Sequence, residues 1–164
     1  NYTNLVQYYG TWYYVQKGKL NWNYTGLVQY YGTWYYVQSG KLNWNYSGLT
    51  YYYGTWYYVQ KGRLNWNYTG LVYHTDKNWY YVQKGKIVWN CTMLVQHTDQ
   101  NWYYIENSKI NWNYSGLAYY YGTWYYIQRG KLNWKYNGTT NMNGMTYTIR
   151  NGRVVQIKNN ERGR

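Results

Sequence analysis

A short aromatic motif returns along almost the whole chain and limits what the chain can fold into. It reads Trp-Tyr-Tyr-Val-Gln at residues 12–16, and its tryptophan recurs in steps of 22, 22, 23, 23 and 22 residues. A second tryptophan keeps the same period, so all 12 tryptophans belong to the repeat. A period of this length holds one short supersecondary unit, which predicts a stacked repeat array.

Each repeat is predicted to form two β-strands joined by a two-residue turn. In the second repeat the strands are residues 33–38 and 41–46, and the turn is Ser39-Gly40. Glycine at the second turn position permits the positive φ of a tight hairpin, and this turn places Val37 opposite Leu42. No helical period occurs. The predicted fold is all-β: a β-hairpin solenoid of about six repeats of 22–23 residues with a degenerate C-terminal capping hairpin.

Side chains alternate between the two faces of a strand. One predicted face of the second repeat carries Tyr35, Val37 and Trp44 and is assigned to the core. The other face carries Trp34 and Tyr36 among amides and a lysine, and is assigned to the surface.

A single repeat buries too few side chains to fold alone, so neighbouring repeats must share their burial. The leucine just after each inter-repeat turn is predicted to supply that contact. These residues are Leu5, Leu27, Leu49, Leu71, Leu94 and Leu117.

The two ends of the chain differ from its middle. Residues 1–3 match the end of a repeat, so we expect the array to extend further toward the N-terminus. Residues 144–154 keep the hairpin pattern but lack both tryptophans, which is typical of a terminal cap. We predict a repeat array over residues 1–138, a degenerate seventh repeat as the cap over 139–157 and a polar tail over 158–164.

Composition excludes several classes of protein. An aromatic content of 26% is too high for a disordered chain, and one cysteine cannot form a disulfide framework. No apolar run is long enough to span a membrane, and the first residues lack the pattern of a signal peptide, so an export signal would lie outside this sequence. The 17 basic and 4 acidic residues give a net charge of +13, which attracts polyanions.

No residues are predicted to be catalytic, and neither a metal nor a cofactor is predicted. The four acidic residues are not paired as a hydrolase requires, and no nucleophile lies beside a base. His74 with Asp76, and His97 with Asp99, could ligate a metal, but the spacing is that of ordinary turn tips. The sequence therefore predicts that the protein is not an enzyme.

Residues 26–42 carry a family resemblance. They read Gly-Leu-Val-Gln-Tyr-Tyr-Gly-Thr-Trp-Tyr-Tyr-Val-Gln-Ser-Gly-Lys-Leu. This segment resembles the choline-binding, or cell-wall-binding, repeats of Gram-positive surface proteins and phage lysins, to which glucan-binding and clostridial toxin repeats are related. The resemblance covers nearly the whole chain and implies a β-hairpin solenoid.

The resemblance also implies aromatic cages between successive hairpins that hold choline by cation–π attraction. One wall of the family's cage is the tryptophan of a Gly-Trp pair, and here that position is leucine in every repeat. Tyrosines in the following loop are candidate replacements. They are Tyr30, Tyr31, Tyr52, Tyr53, Tyr120 and Tyr121.

The predicted function is non-catalytic binding of a bacterial cell-wall or other extracellular glycan. Aromatic rings stack on sugar rings, amides and hydroxyls bind sugar hydroxyls, and repetition adds multivalency. The predicted ligand-binding residues are the first tryptophan of each repeat and the tyrosine two residues later. They are Trp12, Tyr14, Trp34, Tyr36, Trp56, Tyr58, Trp79, Tyr81, Trp102, Tyr104, Trp124 and Tyr126.

Other partners remain open at this point. Lysines and arginines at the hairpin tips form predicted basic ridges that suit teichoic acid, so choline or teichoic acid binding is one alternative. A protein-interaction module of the adhesin type, capturing a host surface protein, is another, because tyrosine and tryptophan dominate protein interfaces. Nucleic acid is disfavoured, the oligomeric state is open, and the expected location is secreted, at the bacterial cell surface.

Overall fold

The computed structural model describes residues 1–160, which form β-strands and turns. The chain divides into two units, Asn1–Val88 and a second that begins at Trp89. The structure confirms the all-β class and the array of hairpin repeats. No helix long and apolar enough to cross a membrane occurs in the described residues.

Twelve strands lie in the first unit and nine in the second. Those of the first are β1 (Asn4–Tyr8), β2 (Thr11–Gln16), β3 (Lys19–Leu20), β4 (Gly26–Tyr30), β5 (Thr33–Gln38), β6 (Lys41–Leu42), β7 (Gly48–Tyr52), β8 (Thr55–Gln60), β9 (Arg63–Leu64), β10 (Gly70–Tyr73), β11 (Trp79–Gln83) and β12 (Lys86–Ile87). Those of the second are β13 (Met93–Gln96), β14 (Trp102–Glu106), β15 (Lys109–Ile110), β16 (Gly116–Tyr120), β17 (Thr123–Gln128), β18 (Lys131–Leu132), β19 (Gly138–Met142), β20 (Met145–Arg150) and β21 (Arg153–Asn159).

Each repeat contains three antiparallel strands, one more than the sequence predicts. In the second repeat, β4 pairs with β5 along its whole length, and β5 then pairs with β6. The predicted pairing of Val37 with Leu42 is confirmed. The last strand is shorter than predicted because the Asn43 side chain ends it: its Oδ1 accepts a hydrogen bond from the Asn45 backbone N–H at 2.9 Å.

Successive hairpins join through backbone hydrogen bonds at the turn before β6. The Gly40 carbonyl accepts a bond of 2.9 Å from Tyr14 N–H, and the Gly40 N–H donates one of 2.9 Å to the Tyr24 carbonyl. A Cβ at Gly40 would lie 2.6 Å from the Asn21 carbonyl oxygen, and its φ is 72°. A Cβ is crowded and its backbone strained at this turn, so the glycine of the motif serves the stacking of hairpins as well as the turn.

The predicted division of β5 into a core face and a surface face is wrong. Val37 packs backward with Leu5 of the first hairpin, whereas Tyr36 packs forward with Val59 of the third. Both faces of the strand are therefore contact faces, and Tyr36 is buried. The leucine after each inter-repeat turn is buried, as the sequence predicts; Leu27, for example, joins the cluster that holds Tyr36.

The second tryptophan of the repeat is exposed, not buried as predicted. Trp44 is 42% exposed, and the equivalent residue in the last complete repeat of the second unit, Trp134, is also 42% exposed. Both lie in the turn after the short third strand, where the alternation of faces along a strand no longer applies.

The cap of the second unit consists of β19, β20 and β21. Tyr147 and Ile149 of the cap pack against Leu117, and this contact covers the last hairpin of the array. The predicted domain boundaries stay predictions. Residues 161–164 of the predicted tail lie outside the described residues.

Candidate functional site

An aromatic cavity of about 230 Å³ lies where three successive hairpins of the first unit meet. The first hairpin supplies Leu5 and Trp12, the second supplies two tyrosines, Leu42 and Trp44, and the third supplies Arg63. The cavity is formed only when hairpins stack, because no single repeat contains all of its walls.

Tyr30 supplies the wall that the sequence leaves open. It ends β4, and its ring centroid lies 5.1 Å from that of Trp12 with a 62° angle between the planes. Tyr52 makes the same contact with Trp34 at 5.1 Å. A loop tyrosine therefore packs on the first tryptophan of the preceding repeat at both positions, and Tyr30 also lines the cavity.

Three of the six candidate tyrosines lie at turn tips and do not line the cavities. Tyr31 lies at the tip of the turn, 90% exposed, and packs edge-on against Tyr30 at 4.5 Å. Tyr53 and Tyr121 occupy the same tip position and are each 88% exposed.

The opposite wall of the cavity is a tyrosine–tryptophan pair that holds a cation of the protein itself. The Tyr35 and Trp44 rings meet edge to face at 5.8 Å. Arg63 Cζ lies 5.7 Å from the centroid of Tyr35 and 5.3 Å from that of Trp44. Lys41 stands in the same way over the tyrosine–tryptophan pair of the first hairpin.

The second unit repeats this cavity in full. Its volume is about 230 Å³. Trp102 and Tyr120 lie 5.0 Å apart, and Arg153 Cζ lies 5.8 Å from the Tyr125 centroid and 5.6 Å from that of Trp134. Its lining residues are Leu94, Trp102, Tyr120, Tyr125, Leu132, Trp134 and Arg153.

The tryptophans and the tyrosines of the predicted ligand-binding set differ in how deeply they are buried. The first tryptophans, Trp12, Trp34, Trp56, Trp79, Trp102 and Trp124, are all half-buried. Of these, Trp12 and Trp102 line the two cavities. The tyrosines two residues later lie deeper: Tyr14, Tyr36, Tyr81 and Tyr104 are buried, and Tyr58 and Tyr126 are half-buried.

These deeper tyrosines stack on the tyrosine of the following inter-repeat turn. Tyr36 and Tyr46 are parallel within 18°, with centroids 3.8 Å apart. The Tyr46 hydroxyl donates a hydrogen bond of 2.7 Å to the Leu49 carbonyl. Burial raises the pKa of Tyr46 to about 12, with a smaller contribution from Tyr36. The Tyr46 ring therefore covers one face of Tyr36.

The histidine turns serve packing and hydrogen bonding. His74 packs on Trp56 at 4.9 Å, in the position that Tyr30 and Tyr52 occupy in earlier repeats. Asp99 accepts a hydrogen bond of 2.6 Å from the Tyr103 hydroxyl. Bonds from Tyr103 and Asn101 lower the pKa of Asp99 to about 2. No group of three or more metal-ligating side chains occurs among residues 1–160.

The sequence misses three contributors to the cavity: Tyr35, Trp44 and Arg63. The first two are assigned to the core on strand alternation, and the arginine is treated as part of a basic ridge. The one signal that could have found them is the repeat itself, since each recurs at the period of the tryptophans.

Stacked hairpins that close aromatic cavities between repeats define a repeat-type binding module, and such cavities suit organic cations. A family model described as the choline-binding repeat matches residues 1–21, 23–43, 45–65, 67–88, 94–111 and 113–133. These matches cover more than half of the chain. The chain belongs to the choline-binding repeat family.

Several solved structures are similar to the chain. CbpJ from Streptococcus pneumoniae TIGR4 is 23% identical over 94% of this chain and 52% of its own, with a TM-score of 0.37. Choline-binding protein F from Streptococcus pneumoniae is 29% identical over 94% and 48%, with a TM-score of 0.36. The choline-binding domain of Spr1274 in Streptococcus pneumoniae is 32% identical over 53% and 95%, with a TM-score of 0.32. The chain thus spans about half the length of the first two. No curated protein sequence matches it significantly.

Proposed function

We propose that the chain is a non-catalytic module that binds bacterial cell-wall polymers through choline groups held in the aromatic cavities between its hairpins. The observation that carries this proposal is the position of Tyr30 against Trp12, which completes a ring-lined cavity despite the leucine at the family's tryptophan position. Family membership supports the same ligand.

The cavity suits a trimethylammonium group in size and chemistry. Four aromatic rings line it, and each ring that faces a cation contributes about 0.5–2 kcal/mol. A volume of about 230 Å³ lies below the range of about 300–1,000 Å³ typical of drug-sized ligands. Single sites of this kind are weak, and repetition along the chain makes them useful against a polymer.

The charge of the module favours choline carried on an anionic polymer. Arg63 already stands over two rings of the cavity, and the net charge is +13, so a bare cation is repelled. Phosphate groups beside the choline, as in a teichoic acid, compensate this repulsion. The expected location is therefore outside the cell, at the wall that carries such polymers.

Retention on a choline-bearing matrix tests the proposal. The control matrix carries 3,3-dimethylbutanol, which has the shape of choline without its charge. One variant, the cavity variant, replaces the tyrosines that pack on the first tryptophans, Tyr30, Tyr52 and Tyr120, by leucine. The matched control replaces their exposed neighbours, Tyr31, Tyr53 and Tyr121, by leucine.

We expect the wild type and the tip variant to be retained on the choline matrix alone and to elute with free choline. Loss of one ring should weaken each altered site by about 2- to 30-fold, so the cavity variant elutes early. Circular dichroism checks that both variants fold. Equal retention on the two matrices, or equal behaviour of the two variants, contradicts the proposal.

The finer predictions of host-protein capture and of glycan stacking on the first tryptophans stay predictions. No contact in the described residues favours a host protein over a cell-wall polymer.

A further inference from the structure

The exposed tryptophan of the repeat lies beside a pair of amides that the choline cavity does not use. In the second hairpin, Asn43 Nδ2 donates a hydrogen bond of 2.7 Å to Gln38 Oε1. That bond leaves the Gln38 NH₂ group directed away from Asn43. Among residues 1–160, Gln38 Nε2 donates no hydrogen bond to the protein. The Lys41 ammonium stands over the Tyr13 and Trp22 rings and is held by no carboxylate in the described part of the chain. The Gln38 NH₂ group is therefore free to bind a ligand, and it lines the same cavity as the Trp44 indole.

These groups line a second cavity. It measures about 530 Å³ and shares only Leu42 and Trp44 with the choline cavity. Its lining residues are Gln38, Ser39, Lys41, Leu42, Asn43, Trp44 and Asn45. The exposed indole thus belongs to two cavities with different chemistry: one lined by rings, the other lined by amides and a lysine.

The second unit contains the same arrangement. Asn133 Nδ2 donates to Gln128 Oε1 at 2.7 Å, and a cavity of about 290 Å³ lies beside Trp134. Lys131 and Lys135 line it. The amide pair also recurs in the first and third hairpins, at 2.7 Å each.

This set of groups matches a carboxylated sugar. The indole face takes the apolar face of a pyranose ring, and the amide donors take its hydroxyls. The lysine ammonium takes a carboxylate, and no acidic residue lines either cavity.

The fifth hairpin shows what a change of charge does to the pair. Glu106 replaces the glutamine, and its Oε2 accepts a hydrogen bond of 2.7 Å from Asn111 Nδ2. The geometry of the pair survives, but the donor is replaced by a carboxylate. A glutamine-to-glutamate change at the other repeats therefore alters the chemistry of the cavity without removing the contact that shapes it.

We infer that Trp44 and Trp134, each with its amide pair and lysine, bind one sugar of a carboxylated glycan at a site separate from the choline cavity. The chemistry covers any hexopyranose that bears a carboxylate, whether the acid is a uronic carboxyl or an ether-linked one. Choline and such a sugar can then be bound on the two sides of the same repeat.

Indole N–H signals in a two-dimensional NMR spectrum of the full chain test the inference. The probes are a β-1,4-linked glucuronic acid hexamer, cellohexaose as the same backbone without carboxylates, and choline. One variant carries Gln38→Glu and Gln128→Glu. The control carries Gln29→Glu and Gln100→Glu, which make the same charge change at exposed positions that line none of the four cavities.

We expect the glucuronic acid hexamer to shift the Trp44 and Trp134 signals and to leave Trp12 and Trp102 in place. The Gln38→Glu and Gln128→Glu variant should bind the hexamer at these two sites with about one tenth of the wild-type affinity, while the control binds it as the wild type does. Equal shifts with cellohexaose, or no shift at Trp44 and Trp134, overturn the inference. Choline shifts at Trp12 and Trp102 in the same sample report on the choline cavity independently.

Discussion

Replacing Ser108 by glycine should stabilise the protein. Ser108 stands at the turn position that other repeats fill with glycine, for example Gly40 and Gly130. Its φ is 72°, it is 0% exposed, and its hydroxyl has no hydrogen-bond partner among the described residues. The serine therefore combines left-handed backbone with a buried polar group that is not satisfied.

The magnitude follows from these two costs. An unsatisfied buried hydroxyl costs about 1–3 kcal/mol, and a non-glycine residue in left-handed backbone costs about 1–2 kcal/mol. Glycine offsets about 0.5–1 kcal/mol of the gain through the greater entropy of the unfolded chain. The expected net gain is about 1–4.5 kcal/mol, or roughly 2–18 °C in Tm for a chain of this length.

Thermal and urea unfolding followed by circular dichroism measure the effect, with two controls. Ser39→Gly relieves left-handed backbone, φ 48°, at an exposed residue, so its gain should be smaller. Gly130→Ser should destabilise, since a Cβ there would lie 2.6 Å from the Asn111 carbonyl oxygen. An unchanged or lower Tm for Ser108→Gly refutes the reasoning. A gain from Ser39→Gly as large as that from Ser108→Gly would show that the buried hydroxyl costs nothing.

Three further predictions concern titration and the cavity cation. Hydrogen bonds from Tyr103 and Asn101 lower the pKa of the Asp99 carboxyl from 3.8 to about 2, so the ionised carboxylate stabilises the fold above pH 3.8 and this stabilisation is lost as the pH falls toward 2. The difference in Tm between the wild type and Asp99→Asn should therefore close between pH 3.8 and pH 2. Burial raises the pKa of Tyr46 to about 12, so the stability that its neutral hydroxyl contributes is fully present below pH 10 and is lost as the pH rises toward 12. The Tm of Tyr46→Phe, followed by circular dichroism, should therefore fall less between pH 10 and pH 12 than the Tm of the wild type. Arg63→Gln removes the cation that occupies the cavity rings, so free choline should bind more tightly by calorimetry and with a weaker dependence on salt; unchanged affinity would show that the guanidinium does not compete.

The period and the hairpin register could be predicted because they depend on local chemistry. A glycine at the second turn position fixes which residues of the two strands face each other, and Val37 therefore pairs with Leu42 as expected. Burial of Leu27 follows from the same local pattern, since a short repeat has no other way to cover its aliphatic residues.

The burial of the two strand faces could not be predicted, because the alternation rule assumes that one face is exposed to solvent. In a stack of hairpins, Tyr36 meets the next repeat and Val37 the previous one, so both are buried. Trp44 lies in a turn, where the Asn43 side chain and not strand geometry sets its direction. The cavity combines residues of three hairpins, and the distance between Trp12 and Tyr30 is a property of stacking that a linear pattern does not contain.

Nuclear Overhauser effects between the choline N-methyl protons and the aromatic side chains test the central claim most directly. The account predicts contacts from these methyl protons to the rings of Trp12 and Tyr30 in the first unit and to those of Trp102 and Tyr120 in the second. Contacts confined to the exposed tip residue Tyr31, or none with any ring at saturating choline, would contradict it.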